Sequence, residues 1–250
     1  MRAIESVVKS VTVSIVSHNQ QHMIVPLLRQ LAEHCGRTVA KIVVTVNVPE
    51  ADLISNGAWG VPVEVLHNLH PRGFGANHNA AFARCNTDWF LVLNPDIRLA
   101  DDALLQMLGT ATATTGLMAP RIREPDTTKT EPHRALLTPC EILRRRKCGY
   151  SPPIKPAWVP GMFMLFRSTA YQQVEGFDSR FFMYGEDFDI CARTRLAGWQ
   201  MHIDEKTVVL HAAQRDSHRR PRHLYWHVIS LCKVWLSSAF WRYRTMWNRA

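Results

Sequence analysis

At 250 residues with 46% apolar content, the chain can bury a proper core as one large domain, alone or with an appendage, which excludes disorder as its default state. Six cysteines (Cys35, Cys85, Cys140, Cys148, Cys191 and Cys232) make no C-x-x-C pair, so a disulfide framework or structural zinc is set aside and a reducing compartment fits. The net charge of +9 predicts an anionic partner, nucleic acid or anionic lipid. Most of the excess sits at one end, where residues 217–250 hold no acid and seven cations: Arg219, Arg220, Arg222, Lys233, Arg242, Arg244 and Arg249. A smaller cluster, Arg144, Arg145, Arg146 and Lys147, lies in a loop-like stretch.

The opening residues lead into the strand-like Val11 to Val16 without the charged region and apolar run of a signal peptide, so export is not expected. Strands are predicted over residues 12–17, 41–48, 61–66, 89–93 and 117–122. Helices are predicted over 22–34, 74–85 and 101–114, the last opened by acids that suit a helix N-terminus. That alternation reads as an α/β sheet. In such sheets ligands bind beyond the carboxyl ends of the strands, and the residues there are polar: His18 and Asn19, Asn47, Asn68, Asn94 and Asp96. From 123 to 157 the pattern breaks into a Pro- and charge-rich stretch, expected to be a mobile functional loop.

Three constellations carry chemistry. The apolar run Leu91 to Leu93 ends abruptly in Asn94, Pro95 and Asp96; a strand-end carboxylate can hold Mg²⁺ or Mn²⁺, although Asn-Pro-Asp also serves as a turn that caps the next helix. Glu186, Asp187 and Asp189 follow an aromatic run and Gly185 where a helix starts. Acidic capping accounts for one acid rather than three, and flanking aromatics would raise a carboxylate's pKa toward that of a general base. A strand or hairpin over 199–210 ends at His211, an imidazole able to complete a metal site with Asp96 or simply a structural histidine; His218 lies seven residues on.

With these pieces in order, the chain resembles family 2 glycosyltransferases of the GT-A fold, especially the rhamnosyltransferase-like branch. The matching segments are Val13 to Asn19, Arg72 to Asn79, Leu93 to Asp96, Trp158 to Met164, Gly176 to Asp178, Gly185 to Asp189 and the late His211. The resemblance implies a mixed, mainly parallel α/β sheet. It divides the chain into a catalytic domain (1–215, with a nucleotide-sugar half at 11–122, the loop region at 123–157 and an acceptor half at 158–215) and a basic amphipathic extension (216–250). It implies an inverting enzyme of cell-surface polysaccharide synthesis, with a nucleotide-sugar donor such as dTDP-L-rhamnose and a saccharide or lipid-linked saccharide acceptor.

Asp96 then corresponds to the metal-binding acid, His211 to the late metal ligand, and Asp187 to the catalytic base, with Glu186 positioning donor or acceptor. His18, Asn19, Asn47, Arg72, Gly73, Asn79 and Asn94 fall at donor-binding positions, and Trp158 and Gly161 near the acceptor. Asn94 replaces the first acid of the commoner D-x-D, and Asn47 stands where many relatives have Asp. The Gly73-Phe74-Gly75 element lacks the third glycine of a dinucleotide fingerprint, which disfavours a dehydrogenase. A nucleotidyltransferase of related fold stays open, as does a non-enzymatic membrane or nucleic-acid binder, though Glu186, Asp187 and Asp96 would repel a phosphate backbone, so no nucleic acid is expected.

The last segment, 222–249, is expected to form one amphipathic helix on the cytoplasmic face of an anionic membrane. Tyr225, Ile229, Cys232, Leu236, Phe240, Tyr243 and Trp247 would share its apolar face. Packing of that face on the catalytic domain, or on a second copy in a homo-oligomer, is the competing expectation.

Overall fold

The computed structural model describes residues 10–212 and 221–249. His218, Arg219, Arg220 and the expected domain boundary at 215 lie outside the described residues. Among the described residues eight strands form one mixed sheet: β1 (Val11–Ser17), β2 (Val39–Val46), β3 (Val63–His67), β4 (Trp89–Leu93), β5 (Ile97–Arg98), β6 (Thr115–Arg123), β7 (Phe163–Arg167) and β8 (Gln200–His211). Their order is β3-β2-β1-β4-β7-β6-β8-β5. The first four neighbours run parallel, β6 and β8 also pair parallel, and β7 and β5 enter antiparallel.

The strands form where β-branched and aromatic residues cluster, and β4 shows why its sequence is continuously apolar. Leu91 and Leu93 face one layer, Phe90 and Val92 the other, and all are fully buried. Helices α1 (Gln21–Cys35) and α3 (Ala103–Leu108) cover the first face. The second is covered by α2 (Phe74–Phe82), α5 (Ser168–Gln173), α6 (Glu186–Leu196), α7 (Pro221–Leu236) and α8 (Ser238–Trp247). The remaining helix, α4 (Pro139–Arg144), lies in the segment between β6 and β7. That segment is tied down by a bridge of Arg123 with Thr130, a bridge of Arg134 with Trp158, and burial of Leu136 and Leu137.

Two expected elements differ. The helix predicted over 101–114 is only Ala103–Leu108: Asp102 caps it by accepting from Leu105 N at 3.0 Å. Gly109 and the threonines after it end it, with Thr110 Oγ1 donating to Met107 O. The single tail helix is two helices. Ser237 adopts an extended backbone, and its Oγ accepts from Phe240 N to start α8. The expected common face is therefore split: Phe240 and Tyr243 are buried against Phe188 in the core, while Tyr225 and Leu236 point to solvent.

Candidate active site

Parallel β1, β2, β3 and β4 all deliver their carboxyl ends to one edge of the sheet. His18 and Asn19 follow β1 there, both exposed, and Asn19 takes a left-handed φ of 63°. Asn47, just after β2, is 5% exposed and organises its neighbours rather than projecting outward. Its Oδ1 accepts from Arg72 N and Asn68 Nδ2, both at 2.8 Å, and its Nδ2 donates to Arg72 O at 3.0 Å and meets His18 Nδ1 at 3.3 Å. Asn77 extends this network by accepting from Asn68 at 2.6 Å. The backbone of Arg72 is thus fixed while its side chain stays exposed at the edge.

Two residues of the glycine-containing element have a role in packing. A Cβ at Gly73 would sit 2.8 Å from Phe182 O, so glycine there lets the 181–182 backbone approach; Phe74 N donates to that same oxygen at 2.9 Å. Asn79 turns toward the fold. Its Oδ1 accepts from Tyr171 OH at 2.7 Å and Phe177 N at 2.9 Å, and its Nδ2 donates to Phe177 O at 2.8 Å, so its polar atoms clamp the 171–177 turn.

Asp96 and His211 are brought together by the pairing of β5 with β8, in which Ile97 lies opposite His211 and Ala212 N donates to Asp96 O. Asp96 Oδ2 lies 3.1 Å from His211 Nε2. Burial opposes protonation of His211, but the hydrogen bond and charge of Asp96 outweigh it and raise the imidazole's pKa. Asp96 Oδ1 and His211 Nδ1 are both buried without a protein partner. Buried polar atoms without partners are costly, and a hard carboxylate beside an imidazole suits a divalent cation completed by ligand oxygens and water. Among the described residues no third His, Cys, Asp or Glu joins them.

Asn94 connects this pair to the segment that leads into β7, because Asn94 N donates to Met162 O at 2.9 Å where β4 meets β7. Next to Met162, Gly161 N points to Asp187 Oδ2 at 3.4 Å, and Phe188 N donates to Asp187 Oδ1 at 2.8 Å. A side chain on Gly161 would press on the Phe74 ring, 3.2 Å from the position of its Cβ. Trp158 is buried, with its Nε1 donating to Ala135 O, its ring edge-on to Phe188 and the Arg134 guanidinium 5.9 Å from its centroid.

The three acids at the start of α6 divide their tasks. Asp189 forms an ion pair with Arg193, Nε to Oδ2 at 2.7 Å, and holds the helix. Glu186 is 6% exposed with Oε2 unpartnered; burial, then the adjacent Asp187 charge, pushes its pKa up to about 8. Asp187 keeps some contact with solvent but is densely surrounded, and this desolvation raises its carboxyl's pKa against the backbone N–H groups of Phe188 and Gly161 and the Arg134 charge. The loop before α6 is conformationally demanding, since Tyr184 and Gly185 are left-handed in succession, at φ 71° and 81°.

Several contributors had no sequence signal of their own. Arg134 lies in the segment expected to be mobile, and His78 is wholly buried on α2, its Nδ1 2.7 Å from Ser14 Oγ, with burial pushing its pKa down to about 3. Its ring packs between Phe74 and Phe177, with centroids at 4.5 and 6.0 Å. A lone buried histidine on an apolar helix face reads as core, and position alone cannot show that it backs Phe74 beside Gly161.

Comparison with known proteins converges on one family. The chain is 30% identical over 184 residues to the N-acetylglucosaminyl-diphospho-decaprenol L-rhamnosyltransferase of Mycobacterium tuberculosis, covering 64% of this chain and 60% of that protein. It is 29% identical over 167 residues to rhamnosyltransferase WbbL of Escherichia coli, covering 58% and 62%. The matched region thus spans less than two thirds of either relative. Among solved structures, a mannosyltransferase from Pyrobaculum calidifontis, in complex with GDP-Man and Mn²⁺, matches with a TM-score of 0.63 at 16% identity, over 90% of this chain and 64% of that one. GalNAc-T7 with UDP, GalNAc and Mn²⁺ matches at 0.70 and 14% identity, over 93% and 49%. These structural likenesses show a GT-A-like fold. The family described as glycosyltransferase like family 2 matches residues 9–236, nearly the whole chain, and the chain belongs to it.

Proposed function

We propose that this protein transfers a sugar, with inversion, from a nucleotide-diphosphate donor to a saccharide or lipid-linked saccharide acceptor, with Asp187 as general base. The observation that carries the reading is the placement of Asp187: desolvated, oriented by Gly161 N and Phe188 N, and beside a Glu186 whose raised pKa keeps it largely protonated near neutrality. A carboxylate so held accepts the acceptor hydroxyl proton as the oxygen attacks the anomeric carbon. Asp96 and His211 would hold a divalent cation, Mg²⁺ or Mn²⁺, which when bound neutralises charge on the departing diphosphate. His18, Asn19 and Arg72 line the strand-end edge where the nucleotide would bind, with Asn47 fixing the Arg72 backbone. Trp158 and Gly161 shape the acceptor side.

Two relatives named as rhamnosyltransferases support L-rhamnose from dTDP-L-rhamnose as the donor sugar. A lipid-linked acceptor would place the enzyme peripherally on the cytoplasmic membrane face; no described helix is long and apolar enough to cross a membrane.

Incubation with a panel of nucleotide sugars should reveal one that is hydrolysed or transferred, with activity lost in chelator and restored by Mn²⁺ or Mg²⁺. Asp187→Asn should lower turnover on the order of 10² to 10⁴-fold while donor binding and thermal unfolding stay close to wild type. Wild-type turnover by that variant would overturn the assignment of the base, and full activity in excess chelator the assignment of the cation.

A further inference from the structure

Helix α7 is apolar on two opposite faces, and among the described residues only one of them has a protein partner. The inner face grips the loop that leads into Glu186 and Asp187 at successive points. Trp226 stacks on Phe182 at 4.6 Å, Ser230 Oγ donates to Met183 O at 2.8 Å, and His227 stacks on Tyr184 at 3.5 Å. Lys233 Nζ donates to Arg180 O, and Val234 is buried against Gly185. The outer face, at helical spacing, is Tyr225, Val228, Cys232 and Leu236. Tyr225 is 58% exposed, Val228 53% and Leu236 86%, and no charge interrupts the stripe. A helix that faced water would carry polar residues at those positions.

The surroundings of the stripe are cationic. At the turn into α8, Trp241 is half exposed, with the Arg244 guanidinium 5.3 Å from its ring centroid and Arg242 exposed beside it. Residues 221–249 contain no acid. Trp235 Nε1 donates to Leu137 O, which joins the end of α7 to the start of α4, whose exposed Leu143 is followed by Arg144, Arg145, Arg146 and Lys147.

We infer that α7 and the α7–α8 turn form a docking surface for an anionic lipid bilayer, with Tyr225, Val228, Leu236 and Trp241 entering the interface and the arginines meeting headgroup phosphates. The stripe supplies insertion and the surrounding cations supply attraction. A second copy of the chain fits less well, because a two-fold contact would bring these cation-rich rims against each other. The inference deepens the peripheral placement that rests on the lipid-linked acceptor reading by naming the surface that carries it, and it puts the loop before Glu186 and Asp187 about one helix diameter, roughly 10 Å, from the lipid surface.

The test uses the full chain, sedimented with vesicles of equal parts phosphatidylglycerol and phosphatidylcholine, or of phosphatidylcholine alone, at low and high salt. Wild type should sediment with the anionic vesicles and fall into the supernatant with neutral ones or at high salt. The double variant Val228→Glu, Leu236→Glu and the separate variant Arg242→Gln, Arg244→Gln should each bind at least about tenfold less. Their circular dichroism, thermal midpoint and donor hydrolysis without vesicles should match wild type, so that loss of docking and loss of transfer are read separately. Trp241→Ser, with its ring at the rim, serves as a third variant if the glutamates impair folding. Wild type left in the supernatant with anionic vesicles would overturn the inference, as would a folded glutamate variant that sediments like wild type. A wild-type dimer that Val228→Glu, Leu236→Glu converts to monomer, with no vesicle binding, would assign the stripe to a second copy instead.

Discussion

Glu186 holds a buried carboxyl against the cost of desolvation, and its titration should be visible in stability. Its pKa rises from an ordinary 4.5 to about 8 in the folded protein. The folded state therefore binds more protons than the unfolded chain between those values, so stability present at low pH is lost as pH rises through that window. Glu186→Gln keeps the shape and removes the titration. Its thermal midpoint should decline less than that of wild type between about pH 5 and about pH 8, while the shifts of Asp187 and Asp189 leave a residual slope. An identical pH dependence of the two midpoints would show that Glu186 does not carry the effect. The acids of this site were legible in the sequence, because three carboxylates at one helix start exceed what capping requires. Asn79 was not, since its motif position says nothing about where the side chain turns, and it turns to Tyr171 and Phe177.

Helix α2 shows packing overruling propensity. Gly75 is its second residue, in the first turn, where alanine is still preferred but by less than the about 1 kcal/mol it gains in a helix interior. A Cβ there would collide with Phe177 Cβ, and Phe177 is buried in the second core layer and packed by Phe74, Phe166 and Tyr171. Overpacking a well-filled core costs about 1–3 kcal/mol, so Gly75→Ala should be net destabilising in urea denaturation despite the helical preference. A gain in stability would show that the 171–177 turn yields more easily than its hydrogen bonds to Asn79 indicate. The strands around this helix were readable from their β-branched runs. The split of the tail was not, because apolar residues recur at helical spacing on both sides of Ser237 and the periodicity passes over a serine able to start a new helix.

At the scale of the molecule, α8 closes the core over the helix that carries Glu186 and Asp187. Phe240, 2% exposed, meets Phe188 at 5.9 Å between centroids, and Tyr243 OH donates to Ala157 O, in the stretch leading to Trp158. Removing such an aromatic typically costs about 3–5 kcal/mol, so Phe240→Ala should be strongly destabilising, whereas Trp241→Ser, one residue on and half exposed, should change stability little. Equal effects of the two would mean that α8 is not part of the cooperative core. Composition had indicated where the cations lie, but which tail residues are core and which face outward depends on the angle between α7 and α8, and that angle is set by tertiary contacts no local pattern encodes.

The two covered faces of β4 have a consequence in time as well as in energy. Its backbone is paired on both sides, with β1 and β7, and layers of side chains close over both surfaces. No partial opening frees its amides, so they should exchange with deuterium only as fast as the whole domain unfolds. Asn94 follows directly on this strand and Asp96 two residues later, so the carboxylate that would hold a cation is mounted at the end of a strand that opens only with the whole domain.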